Sequence, residues 1–202
     1  MTRTDRAPRQ RLDAATRRAG ILAAASAAFG EQPYAAVSMA GVAAAAGASE
    51  ALVFRYFGTK AGLYTEVVRD GLDRLSGRRA SAMAALGENT PARDRMAALL
   101  ELDLDHVAAH PLIWSAPLVS GNEPPEALAA RATAREAYVA EVRGLLRPAD
   151  WARHSYALWG FFGFLDGACL HWVGRGCPQD ERWAVVEATL GALEGALGDW
   201  SR

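Results

Sequence analysis

Asp103, His106 and His110 recur at i, i+3 and i+7 along a stretch that reads as helix, so their side chains share a face. A carboxylate and two imidazoles so spaced could hold a metal ion or anchor a ligand inside a helical bundle. Groups satisfied by water near a helix end are the plainer alternative. Asp166 directly follows the apolar run 159–165, where an ionised carboxylate requires a partner. Trp114, Tyr138, Trp159, Phe162 and Trp172 could line an apolar site or simply fill a core. No strong catalytic signature occurs, no cofactor is expected, and no residue is assigned as a metal ligand.

A second set lies nearer the N-terminus. Ser38, Ser49 and Thr59 each stand just before a helical stretch, Glu50 and Arg55 fall among them, and Lys60 is the only lysine. Hydroxyls, helix N-termini and lysine bind phosphate oxygens, while arginine can read guanine O6 and N7. A carboxylate can accept from cytosine N4.

Helices must position both sets. Ala, Leu, Glu and Arg dominate and no long alternating β-branched run occurs, so the fold class is all-α. Start and stop residues predict helices over 16–29 (with Thr16 as N-cap), 39–46, 50–57 and 60–85. Pro, Gly and Asp boundaries predict others over 91–110, 111–119, 125–146, 151–174 and 180–197. The expected organisation is a disordered basic arm over 1–15, a three-helix unit over 16–58 and a larger bundle over 59–202.

Composition narrows the class. With 202 residues the chain has room for one or two domains around a buried core. A hydrophobic content of 51% excludes low-complexity disorder, and 19 glycines without a three-residue period exclude collagen. Two cysteines, Cys169 and Cys177, cannot build a disulfide scaffold, so a cytoplasmic location is expected. The longest apolar stretch, 157–173, falls short of a membrane span of about 20 residues and contains Asp166 and His171. No membrane partner is expected. Six arginines before position 19 precede an apolar run, as in a signal peptide, yet Ile21, Leu22, Ala25 and Phe29 keep the spacing of an amphipathic helix. The net charge of −1 conceals +3 over residues 1–70 and −4 over the remaining 132. A basic end on an acidic chain suits an anionic partner for that end, or a solvated arm.

Between Ser38 and Phe57, two short capped helices are separated by Gly47, which can take the positive φ of a tight turn. Ala43 and Ala46 permit close crossing, and Val42, Val53 and Phe57 would face Ile21, Leu22 and Phe29. The pattern is that of a helix-turn-helix, whose second helix enters the major groove, or of a plain helical hairpin. The run from Ile21-Leu22 to Phe29, with Val37-Ser38-Met39, Val42-Ala43 and Ala46-Gly47-Ala48-Ser49, resembles the N-terminal domain of the tetracycline-repressor (TetR/AcrR) family. Val53-Phe54-Arg55-Tyr56-Phe57-Gly58-Thr59-Lys60-Ala61-Gly62-Leu63-Tyr64 continues the likeness, which covers residues 16–65. The resemblance implies a homodimer that represses transcription until a small molecule binds its C-terminal domain. It also implies phosphate contacts at Ser38, Tyr56, Thr59 and Lys60 and a groove-facing surface at Glu50, Ala51, Leu52 and Arg55. Ser49 and Phe54 complete the expected DNA-binding set. Departures are specific: Phe54 replaces a usual Tyr, Ala40 and Gly41 stand where Arg and Asp are common, and Pro33 replaces a Gly. Glu50 stands where a basic or neutral polar residue is common.

In the C-terminal half, the segment 159–165 is apolar on every side of its helix and must be covered all round. Gly160, Gly163, Gly167 and Gly174 share one face of that helix. The last helix pairs a large stripe (Trp183, Val186, Leu190, Leu193, Leu197) with a small one (Ala184, Ala188, Gly191, Gly195, Gly198). Gly163, Gly167, Ala188, Gly191 and Gly195 are therefore expected at a dimer interface, with a larger monomeric core as the alternative. The last two helices of the family usually form such a four-helix bundle. Asp103, His106, His110, Trp114, Tyr138, Trp159, Phe162 and Asp166 are expected to bind the ligand. The expected partners are double-stranded operator DNA, a small-molecule effector and a second copy of the chain. Two rivals remain open: a helical-bundle metal-dependent enzyme using Asp103, His106 and His110, and a constitutive DNA-binding protein without a ligand.

Overall fold

Four polar caps set the first four helices. In a computed structural model that describes residues 13–119 and 121–198, Asp13 accepts the Thr16 amide at 2.8 Å and opens α1 (Ala14–Glu31). Ser38 accepts the Gly41 amide at 3.0 Å and opens α2 (Met39–Ala45). Ser49 accepts the Leu52 amide at 3.3 Å ahead of α3 (Glu50–Phe57), and Thr59 the Gly62 amide at 2.9 Å ahead of α4 (Lys60–Ala85). Each cap contributes roughly 1 kcal/mol. The expected cap at Thr16 is corrected: Thr16 already lies in the first turn, and its hydroxyl donates to Asp13 at 3.0 Å. Ala14 and Ala15 thus belong to α1 rather than to an arm; residues 1–12 lie outside the described residues.

Proline starts the next helices. Pro91 and Pro124 precede α5 (Ala92–Ala109) and α7 (Pro125–Leu146), with α6 (Pro111–Val119) between them. An α8–α9 hairpin completes the chain: α8 (Ala152–Gly174), a single 3-10 turn over Gln179–Glu181, and α9 (Arg182–Leu197). No strand occurs among the described residues, and no helix among them is long and apolar enough to cross a membrane.

Two apolar clusters hold the helices. Ile21, Ala25 and Phe29 of α1 meet Val42 of α2, Val53 and Phe57 of α3, and Leu63 and Tyr64 of α4. Gly47 makes the α2–α3 turn at φ +60°, and the Ala48 amide closes it on the Ala43 carbonyl at 2.9 Å. Fully burying Ile21 or Phe29 gains about 1.5–3 kcal/mol each. This core runs past residue 58. Val67 and Val68 of α4, Ile113 of α6 and Ala127 of α7 belong to it, so the three-helix unit is seated on the bundle. The second cluster joins α5, α7, α8 and α9 through residues such as Leu99, Val142, Phe161, Trp172 and Leu190. Near the start of α8, His154 bonds the Leu197 carbonyl at 3.1 Å, tying it to the end of an antiparallel α9.

Candidate functional site

The exposed side of α3 follows from its buried one. Val53 and Phe57 point into the core, which leaves Glu50, Ala51 and Arg55 in solvent and Leu52 and Tyr56 half-buried. Phe54 is 44% exposed, a large apolar ring with no hydroxyl to donate. Ser38, Ser49 and Thr59 are exposed while serving as caps. Lys60 is not extended into solvent. Its amine donates to the Ala35 carbonyl at 3.1 Å and lies 4.7 Å from the centre of the Tyr34 ring, and partial burial lowers its pKa. Pro33 opens a tight turn closed by the Ala36 amide at 2.9 Å, which solves the loop without positive φ.

A cavity of about 120 Å³ lies among α4, α5, α6, α7 and α8. Leu72, Leu75, Val107, Trp114, Phe162 and Leu165 supply apolar wall. Asp103 is buried on that wall: Arg79 Nε donates to it at 2.8 Å, with a second, shorter bond from Arg79 Nη2, and the Tyr138 hydroxyl donates at 2.9 Å. The Arg79 guanidinium also stacks 3.5 Å from the Tyr138 ring centre. Burial pushes the Asp103 carboxyl up, against the opposing pull of Arg79. Asp166 takes Arg135 Nη2 on both oxygens at 2.9 Å. Burial, reinforced by His110, Arg79 and Arg131, pushes His106 down to about 4, so its imidazole is neutral near pH 7. Burial pushes the Cys169 thiol on the same wall up to about 12, leaving it an inert apolar group.

Asp103, His106, Trp114, Tyr138, Phe162 and Asp166 therefore share one cavity. His110 and Trp159 lie elsewhere. His110 lines a surface groove between α1 and α4 beside Asp70 and Arg74, with its ring 5.6 Å from that of His106. Trp159 is 48% exposed, because α8 turns Leu158, Phe161 and Phe162 inward and leaves 159 outside. The metal alternative loses its donors: both Asp103 oxygens are occupied, and no group of three His, Cys, Asp or Glu among the described residues is placed to hold an ion.

Sequence reasoning missed the cations Arg79, Arg131 and Arg135 on the cavity wall, and the acid behind Arg131. Glu123, with no side-chain exposure, accepts Arg131 Nε on both oxygens at 3.0 Å and Nη2 at 2.7 Å. Arg131 Nη2 also reaches the Ile113 carbonyl at 2.7 Å. Glu123 then accepts the Tyr64 hydroxyl at 2.7 Å, and Tyr64 packs edge-on against Phe29 of α1 at 4.9 Å. Burial and Glu123 both raise the Tyr64 pKa, so the hydroxyl stays a donor. A guanidinium on the cavity wall is thus two hydrogen bonds from the helix-turn-helix core.

The outer side of the α8–α9 hairpin exposes Gly163, Gly167, Ala188, Gly191 and Gly195. A Cβ added at any of those four glycines would meet nothing within 4 Å. Tyr156 (79% exposed) and Trp183 (55%) are also apolar surface on this hairpin.

Two short helices joined by the Gly47 turn, with an exposed second helix on an all-helical bundle, form a helix-turn-helix. Residues 21–67 match the family model of bacterial regulatory proteins, tetR family. Over those residues the chain is similar to that family. A tetR-family transcriptional regulator from Streptomyces coelicolor superimposes with a TM-score of 0.76 at 21% identity, over 92% of this chain and 80% of its own. The fatty acid degradation regulator FadR from Bacillus halodurans gives 0.71 at 18% identity, over 91% and 96%. FadR from Bacillus subtilis, in complex with stearoyl-CoA, gives 0.68 at 16%, over 90% and 98%. At such identities the likeness establishes the fold. A comparison with proteins of curated function finds no match.

Proposed function

We propose that the chain is a ligand-responsive repressor that binds a palindromic operator as a homodimer and leaves it when a small apolar or amphipathic molecule enters the cavity. Residues 16–58 bind DNA, and 59–202 bind ligand and partner. In this reading α3 enters the major groove, with Arg55 reading guanine, Glu50 accepting from cytosine, and Ala51 and Leu52 against base edges. Ser38, Ser49, Tyr56, Thr59 and Lys60 face phosphates, and the Phe54 ring packs where a thymine methyl would lie. The open glycine face of α8 and α9 is covered by the same face of a second copy. A regulator of this kind works in the cytoplasm, beside the chromosome, and performs no catalysis.

One observation carries the ligand response: Arg131 both lines the cavity and holds Glu123 against Tyr64. A molecule that disturbs Arg131 alters how the helix-turn-helix is seated. Complete switching from 99:1 to 1:99 requires about 5.5 kcal/mol of differential binding. A cavity of about 120 Å³ suits a ligand far smaller than the stearoyl-CoA held by the Bacillus subtilis FadR.

Selection of genomic DNA by the purified protein, sequenced with and without candidate ligands, tests the reading. The expected product is a two-half-site sequence bound by a dimer, with affinity falling steeply with salt. Salt-independent binding, or failure to select any sequence, overturns it.

A further inference from the structure

We infer that Arg18, Gly62 and Glu66 are positioning residues for α3: they grip Phe57, its last residue, and so set the angle at which the helix is presented to DNA. The inference rests on the reading above that α3 enters the major groove, and adds residues that act on recognition without touching the DNA.

α3 has eight residues, of which Val53 and Phe57 are buried in the core. Base edges are read by donors and acceptors that must be placed within about 0.5 Å, so a helix this short needs both ends fixed. The Ser49 cap fixes the first turn. The last residue is fixed by two other helices. On one side stands α4: a Cβ at position 62 would lie 2.3 Å from the Phe57 carbonyl oxygen, so glycine there lets α4 approach the end of α3 more closely than any other residue permits. On the other stands α1, whose Arg18 guanidinium lies 4.9 Å from the centre of the Phe57 ring.

A polar tie closes the grip. Arg18 Nη2 donates to Glu66, which lies one turn beyond Gly62 on α4, and Arg69 Nη1 donates to the other Glu66 oxygen at 3.0 Å. Against the upward push of burial, Arg69 and Arg18 hold the Glu66 carboxyl below its ordinary range, so the tie is an ion pair at neutral pH. Its side chains keep 40% and 31% exposure, and a pair so placed adds little to global stability. What it restrains is local: the tilt of one short helix against α4, which few other contacts oppose. Glu66 already takes up the Arg18 charge, which separates this role from a phosphate contact.

Fluorescence anisotropy on the full chain tests the inference, comparing the two-half-site DNA selected by the wild type with a scrambled duplex of equal length at several salt concentrations. Arg18→Met keeps an apolar stem on Phe57 and removes the charge. Glu66→Gln removes the partner charge, and Gly62→Ala inserts one methyl at the carbonyl contact. Each should lower the ratio of the two affinities by at least about fivefold, since two copies act in a dimer, and leave the scrambled duplex within about twofold. The salt slope should not change. A phosphate contact at Arg18 would weaken both duplexes and shallow the slope by about 0.9 per copy, and a merely stabilising residue would lower the melting temperature with the ratio intact. Either result overturns the inference. Should Gly62→Ala fail to fold, the two charge variants decide.

Hydrogen exchange over residues 54–60, measured without DNA, separates the two readings. The Gly58 amide donates to the Phe54 carbonyl and the Thr59 amide to the Phe57 carbonyl, both at 2.8 Å, and both should exchange faster in the variants. Unchanged exchange overturns the grip. Faster exchange beside a wild type that selects no DNA upholds the grip and counts against α3 as the helix that reads bases.

Discussion

Replacing Gly191 and Gly195 of α9 by leucine should act in opposite directions on the subunit and on its pairing. Within one subunit a Cβ at either position meets nothing within 4 Å, so the first atom of each added side chain displaces nothing. Glycine in a helix interior costs about 0.8–1 kcal/mol relative to a good helix former, so each substitution should stabilise α9 by nearly that much. Across a two-fold interface every insertion occurs twice, giving four added isobutyl groups in a contact fitted to bare backbone. Overpacking costs about 1–3 kcal/mol per insertion, so the dimer should weaken by at least about 4 kcal/mol, or roughly a thousandfold. Sedimentation equilibrium over a dilution series reads the pairing, and urea unfolding of the dilute protein reads the subunit. The expected result is a monomer that resists urea better than the dilute wild type and no longer holds a two-half-site operator. A dimer of unchanged dissociation constant refutes pairing through this face. A subunit destabilised by the leucines refutes the claim that the face is open.

Lys60→Ala should weaken binding to all DNA sequences alike and reduce the slope of log affinity against log salt by about 0.9, read by fluorescence anisotropy at several salt concentrations. An unchanged slope would mean that the amine stays on Ala35 and Tyr34 in the complex. Glu50→Ala and Arg55→Ala should each lose about 1–3 kcal/mol of discrimination at one base position in a selection experiment, and unchanged base preference in both would place readout elsewhere. His106 has a folded-state pKa of about 4 against an ordinary 6.5, so the unfolded chain binds the extra proton between those values. Its contribution is therefore present above pH 6.5 and lost as pH falls toward 4, by about 3 kcal/mol at most. Urea midpoints of wild type and His106→Asn across that window should converge at the acid end; parallel curves would show that the imidazole is not held neutral.

Helix boundaries were legible because proline, glycine and capping residues act locally. Ser38, Ser49 and Thr59 each cap the helix that follows; α1 starts earlier than expected because Asp13 and Thr16 are both good caps and the earlier one prevails, and α9 starts at Arg182 rather than Asp180 because a 3-10 turn precedes it. Facing was harder where a helix is apolar all round. On α8 no stripe distinguishes Trp159 from Leu158, so which ring enters the bundle depends on packing partners that periodicity does not contain. The acids Asp103 and Asp166 announced that cations must be near but not which ones. Arg79 lies 24 residues before Asp103, and Arg135 lies 31 before Asp166. Glu123 gave no signal at all, for an acid beside Pro124 and Pro125 reads as solvated loop, and the Tyr64 that helps bury it is 59 residues away.

The junction at residue 58 is not a mechanical boundary. Ile113 and Ala127 already seat the three-helix unit by apolar contact, and such contact is indifferent to charge nearby. A buried ion pair beside it adds little stability, because desolvating Glu123 and Arg131 costs about as much as their attraction returns. What the pair adds is sensitivity. Its strength depends on every charge that shares Arg131, and Arg131 is the member of the pair that meets the cavity. In the proposed switch the apolar contact fixes where the DNA-binding unit sits, and the Tyr64–Glu123–Arg131 chain makes that seat responsive to what the cavity holds.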